Sequence, residues 1–213
     1  MKTSQIKQIL LSYLDTLRKH DSSTPEVLCA PDAGAFATIE ELESIELPSD
    51  LKHFLLSVGA YDDEKMDDLD LFEPHFAWGM SIIPAQFIET IYKGSAGCGG
   101  EDNPDYWPMG FLPILEDGSG SYVVVNCISS SPTYGGVYDM SEGVGCNLIS
   151  LSMPEFLAAS IQELENGVRS FTAPDLSQIQ NFQSYLSDSA SLFGKTPYFS
   201  RLGKMDQQIV DWH

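Results

Sequence analysis

Apolar residues along this chain recur at two periods, one helical and one close to two. Ile6, Ile9, Leu10, Tyr13, Leu14 and Leu17 repeat every three to four positions, which predicts an amphipathic helix over residues 4–20. The following DSSTPEVLCAPDAGAF reads as a loop on its Ser, Pro and Gly content. Thr38-Ile-Glu-Glu41 has the form of a capping box and predicts a short helix from Thr38 to about Ile45. Pro48-Ser49-Asp50 opens another, with Leu51, Phe54, Leu55 and Val58 on one face and Gly59 as an αL-permissive stop.

Residues 69–92 suggest two short strands, LDLF and GMSII, and a helix PAQFIETIYKG with proline in its first turn. GSAGCGGEDNPDYWP reads as a loop. After it FLPILE, SYVVVNCI, GGVYDM and NLISL are β-rich runs separated by Gly, Ser and Asp, the pattern of an antiparallel meander. Ser152-Met-Pro-Glu155 is a second capping box, opening a helix whose Phe156, Leu157, Ile161 and Leu164 face the core and which Gly167 closes. The tail predicts helices at about 175–193 and 204–212. Its Phe182, Tyr185, Leu186, Phe193, Phe199 and Ile209 should pack that extension on the domain.

The stretch WPMGFLPILEDGSGSYVVVN, residues 107–126, could be a phosphate cradle, a metal loop or a hairpin. A phosphate loop needs backbone N–H groups converging at the start of a helix. Here Asp117-Gly118-Ser119-Gly120 leads into Tyr-Val-Val-Val, a β-branched run, so the turn closes a hairpin with glycine supplying positive φ.

The chain has 213 residues, 43% of them apolar and 11% aromatic, enough for one domain with a proper core. No apolar run approaches the roughly 20 residues that cross a bilayer. The first apolar stretch is interrupted by Ser12 and Asp15, unlike a signal peptide, so a cytoplasmic location is expected. Cys29, Cys98, Cys127 and Cys146 form no Cys-x-x-Cys pair and none lies near His20, His53, His75 or His213 in sequence, so they read as reduced thiols without zinc-ligand spacing.

Charge changes the picture most. The formal net charge is −20, and residues 21–165 hold 26 acidic side chains against Lys52, Lys65 and Lys93, a net of −23. Such a body repels nucleic acid and anionic membrane, so neither is expected as a partner, whereas a basic protein is. The densest run is Asp62, Asp63, Glu64, Asp67, Asp68 and Asp70. As a calcium loop it fails, because Met66 carries no oxygen ligand and Asp67 stands where the sharp turn wants glycine. It reads either as a solvated acidic loop or as the docking surface for a basic partner.

Catalytic patterns are weak. No Gly-x-Ser-x-Gly elbow occurs. A pair of Cys98 or Cys127 with His53 or His75 is only one of many that four of each would offer. Glu116 and Asp117 sit side by side in an expected exposed turn, with ordinary acidities and no acid–base role. Trp78 and Trp107 read as core lids ahead of a binding platform. No cofactor and no enzymatic activity are expected.

Taken in order, Ile-Glu-Glu-Leu-Glu, Leu47-Pro48-Ser49-Asp50-Leu51-Lys52-x-Phe54-Leu55 and Gly59 resemble the opening of the SUKH superfamily, named partly for the fungal cell-wall-assembly regulators. Trp107, Phe111-Leu112-Pro113-Ile114, the Asp117-Gly118-x-Gly120 turn, Gly136-Val-Tyr138 and Ser152-x-x-Glu-Phe-Leu resemble the rest of that pattern, over about residues 36–167. Ala60 and Ser121 depart from it. The resemblance implies an α+β single domain, with helices packed on a largely antiparallel sheet, over residues 1–170, followed by a helical C-terminal extension at 171–213. Pro48, Gly59, Trp107, Leu112, Pro113, Asp117, Gly118, Gly120 and Tyr138 would be its structural motif, with Trp107 and Leu112 in the core. It also implies a non-enzymatic immunity protein that neutralises a cognate toxin, often a nuclease, by stoichiometric binding. The alternatives are a regulatory interaction module of the fungal kind and, behind it, a metal-dependent hydrolase.

Overall fold

The computed structural model describes residues 2–43, 45–97, 106–141 and 145–180. Its centre is a six-stranded antiparallel sheet formed by β3 (His75–Ala77), β4 (Met80–Ile82), β5 (Phe111–Glu116), β6 (Tyr122–Asn126), β7 (Val137–Ser141) and β8 (Gly145–Ser150), in sequence order across the sheet. The predicted meander is thus present, and the fold is α+β. Its second strand is the predicted GMSII run, but LDLF is not a strand and β3 follows it instead. A two-residue turn joins β3 to β4, with Trp78 at φ 60° and Gly79 at φ 75°, as a type I′ hairpin requires.

Both faces of the sheet are buried. Along β6, Val123 and Val125 enter the main core while Val124 points into a smaller cluster with Trp107, Phe111, Tyr138, Met140, Cys146 and Leu148, the alternation that pleating imposes. Pro113 lies in the interior strand β5, where a proline removes a ladder donor. The pairing answers with a bulge: Pro113 opposes Val124, and the next pair is Leu115 with Val123. The extra residue lets Ile114 and Leu115 join the same core although they are consecutive.

Helices cover the main-core face. The predicted first helix is α1 (Lys2–Lys19), burying Ile6, Leu10, Tyr13 and Leu17 against α4 (Ser49–Val58) and α7 (Met153–Glu165). Its last turn carries Arg18 and Lys19, which suit the negative end of a helix. Helix α4 buries the predicted Leu51, Phe54, Leu55 and Val58, and Pro48 is its N-cap residue. Helix α7 is capped as expected: the Ser152 hydroxyl accepts from Glu155 N at 3.4 Å, and Glu155 Oε2 accepts from Leu151 N at 3.3 Å. Gly167 follows it at φ 66°. Helix α6 (Ala85–Ser95) matches PAQFIETIYKG, with Pro84 at the N-cap and not inside the first turn.

Four local expectations are corrected. DSSTPEVLCAPDAGAF is not a loop: it contains α2 (Thr24–Val27), β1 (Leu28–Cys29) and the start of α3 (Ala33–Glu40), and β1 pairs with β2 (Ala60–Tyr61). Helix α3 starts at Asp32, whose carboxylate accepts from Gly34 N at 2.7 Å. Thr38 therefore lies within it and bonds back to Ala35 O at 2.9 Å instead of capping a helix to Ile45. Gly59 ends α4 at φ −78°, not in the αL region. What excludes a side chain there is closeness, since a Cβ would stand 2.4 Å from Leu55 O.

The fourth correction concerns the tail. Residues 175–180 are not helical: β9 (Arg169–Phe171) and β10 (Ser177–Ile179) form an antiparallel hairpin around Pro174. Its partners outweigh helix propensity, because Ser23 N donates to Pro174 O at 2.7 Å, His75 N to Asp175 O at 2.7 Å and Ser177 N to His75 Nδ1 at 3.0 Å. The remainder of the expected helix, the helix at 204–212 and the apolar residues from Phe182 onward lie outside the described residues, as does Cys98.

Candidate functional site

The acidic run forms no loop; most of it is the helix α5 (Asp63–Asp68). Asp62 caps it, accepting from Lys65 N at 3.3 Å and pairing with Lys65 Nζ at 3.3 Å. Those contacts hold the Asp62 carboxyl below the usual aspartate range. Asp63 and Glu64 occupy the first turn, where negative charge suits the helix. Asp67 and Asp68 end it and Asp70 follows at φ 50°, and all three are exposed at the less favourable end. Lys65, the one cation of the run, is already engaged by Asp62.

Three-dimensional structure then adds acid from elsewhere. Leu71 N donates to Met66 O at 3.0 Å, folding the chain back after the helix, and the Glu73 carbonyl accepts from Ser81 Oγ at 2.5 Å. This sets the Glu73 carboxylate beside the β5–β6 turn, where a Cβ on Gly118 would lie 3.6 Å from Glu73 Oε2. Glu116, at the end of β5, has its carboxyl pushed above the ordinary glutamate value by burial first and then by Glu73 and Asp117. Asp117 goes the other way: burial would raise it, but donors from Ser119 and Ser121 overcome that and hold it low. Asp117 Oδ1 accepts from Ser119 N at 2.8 Å and Ser121 N at 3.1 Å. The expectation of ordinary acidities for Glu116 and Asp117 is thereby corrected. Between these groups stands Tyr61, whose hydroxyl accepts from Ile82 N at 2.9 Å. Burial pushes its phenol pKa up, making it a weaker acid, and the nearby Glu116 and Glu73 push it further in the same direction.

The expected motif residues lie at this turn, in and beside the sheet, and at the two ends of α4. Gly118 and Gly120 have φ of 71° and 101°. Trp107 is buried, donating from Nε1 to Phe111 O at 2.9 Å, with its ring 5.0 Å from Tyr122. Tyr138 is buried edge-on to Phe111 at 4.9 Å and donates to Thr133 Oγ1 at 2.7 Å. Leu112 and Pro113 are buried in β5, and Pro48 is buried at the start of α4. The structure brings the turn of Asp117 and Gly118 beside Glu73, three residues past the acidic run, and leaves Pro48, Gly59, Trp107 and Tyr138 away from it.

Among the described residues no group of three or more His, Cys, Asp and Glu side chains could hold a metal ion. Cys127 is buried, with its thiol pushed up by desolvation and donating to Val125 O, and His75 is committed to Ser177. A cleft of about 440 Å³ between α3 and α6 is lined by Thr38, Leu42, Tyr92, Met109 and carboxylates including Glu41 and Glu89. Lys93 there is paired with Glu89 at 2.6 Å. No helix among the described residues is long and apolar enough to cross a membrane.

The architecture defines an α+β domain with helices over an antiparallel meander. Over residues 30–159 the chain matches the SMI1 / KNR4 family (SUKH-1), and it belongs to that family. Its members are generally non-catalytic immunity or regulatory proteins. No curated protein matches the chain. Helix α1 lies outside the matched span, yet its apolar residues share one core with Leu51, Phe54 and Val123.

Proposed function

We propose that this protein is a non-enzymatic immunity protein that neutralises a basic, nuclease-type toxin by stoichiometric binding in the cytoplasm. The observation that supports this most is the acidic face around α5, where Asp67 and Asp68 end the helix, Asp70 follows it, and Glu73, three residues further on, stands near Glu116 and the turn of Asp117 and Gly118. Like charges held this close oppose assembly of the folded state, as the burial of Glu116 beside Glu73 and Asp117 shows, and a cationic partner turns that repulsion into attraction. Nuclease domains carry positive charge where they hold phosphate, so their binding surface complements this face. Family membership supports the same class of role, with regulatory docking on a basic protein as the second reading.

The test is capture with the tagged full-length protein from its native cells, followed by mass spectrometry and stoichiometry of the purified complex. The expected result is a one-to-one complex with a basic protein whose nuclease activity is lost on binding. A basic partner without toxic activity would select the regulatory reading. Absence of any basic partner would overturn both.

A further inference from the structure

Large apolar side chains stand out of the acidic face. Phe72 is 77% exposed and Leu69 45% exposed. Phe72 is not at the tip of a loose loop. The backbone before it is tied by Leu71 N to Met66 O, the backbone after it by Ser81 Oγ to Glu73 O, and Asp70 and Glu73 on either side hold φ of 50° and 49°. Non-glycine residues adopt such values at a cost, so two of them flanking one exposed ring mark a conformation that the surrounding contacts impose. Leu176, 42% exposed, lies on the hairpin whose Asp175 carbonyl is bonded to His75 N, three residues beyond Phe72.

Resting on the reading above, we infer that Phe72, with Leu69 beside it, is the apolar anchor of the interface, filling an apolar pocket on a basic protein partner. The carboxylates of Asp67, Asp68, Asp70 and Glu73 surround that pocket and meet lysines and arginines of the partner. This is the arrangement of interface hot spots: a central aromatic excludes water and a charged rim gives orientation and approach rate. Charge selects among occupants. A second copy of this chain would bring two acidic faces together, and an anionic lipid surface or a nucleic acid would be repelled.

The roles separate kinetically, because a rim charge acts on association and a buried anchor on dissociation. A photoreactive benzoylphenylalanine is placed at 72 in the full-length protein in its native cells, and in separate variants at Leu11 and Phe87, which are 55% and 53% exposed elsewhere. Irradiation is expected to give an adduct with a basic protein from position 72 and none from 11 or 87. With that protein purified, Phe72→Ala should speed dissociation at least tenfold while leaving the association rate, its salt dependence and the melting temperature unchanged. Adducts from 11 or 87 but not 72, an adduct with a second copy, or an unchanged dissociation rate would overturn the anchor while leaving the immunity reading in place. No adduct from any position, with no basic protein captured, would overturn both.

Discussion

At position 118 the backbone sits at φ 71°, a region that a β-branched side chain resists. Gly118→Val is expected to destabilise the fold by about 1–3 kcal/mol, read by denaturant unfolding; an unchanged midpoint would remove this reading of the turn. Two positions earlier, Glu116 offers a pH test. Its folded-state proton affinity is raised, so its favourable contribution is present below the ordinary value of 4.5 and is lost as pH rises through the folded value. At pH 7 the ionised carboxylate therefore opposes folding, and Glu116→Gln should raise the melting temperature there, with the difference closing as pH falls to 4.5. A gain that persists unchanged in acid would show that packing, not charge, is responsible. The turn was legible in sequence because Asp-Gly-Ser-Gly between apolar runs acts locally. The perturbed Glu116 was not, because its causes are burial in the folded chain and then Glu73, more than forty residues earlier, delivered by the fold-back after α5.

Among the elements, those with a clean period and a single cap were legible, as α1, α4, α7 and the meander show. The sequence misplaces helix α3 because Thr-Ile-Glu-Glu imitates a cap, while two residues beyond the true one, Asp32, stands Gly34, which reads as a breaker. The tail hairpin was misread because its stabilising partners, Ser23 and His75, are distant in sequence. One of its strands carries Arg169, whose Nε lies 3.4 Å from Glu163 Oε2, with both side chains buried. Removing the guanidinium leaves a carboxylate in a dry setting without that cation, so Arg169→Met should cost about 3–5 kcal/mol in a denaturant titration. A loss under about 1 kcal/mol would show that the hairpin is not held by this pair. Helix α5 is tested differently. Asp67, Asp68 and Asp70 are exposed, so changing all three to Asn should leave the fold intact. It should slow association with the basic partner about tenfold at low salt, an effect that shrinks as the Debye length falls from about 10 Å at 0.1 M to about 3 Å at 1 M. Equal association rates at low salt would take α5 out of the interface.

For the molecule as a whole, a net charge of −20 on 213 residues acts against compactness. Raising NaCl from 0.01 M to 0.1 M shortens the screening length from about 30 Å to about 10 Å and should raise the melting temperature by about 2–4 °C for each kcal/mol of repulsion relieved. A melting temperature that falls with salt would show that attractive pairs dominate instead. The charge itself was plain in the sequence. The approach of Glu73 to Glu116 and Asp117 was not, since that depends on where the β5–β6 turn lands.

Helix α1 has a consequence for how the protein is made. Its buried residues Ile6, Leu10, Tyr13 and Leu17 rest on α4 and α7, and α7 spans Met153–Glu165, while the meander between them pairs each strand with its neighbour in sequence. On a ribosome adding about 5–20 residues per second, helix α1 therefore waits on the order of ten seconds for α7, with an apolar stripe turned to solvent. The nascent chain is most vulnerable to aggregation in that interval, and a chaperone that binds amphipathic helices would have its natural substrate in α1.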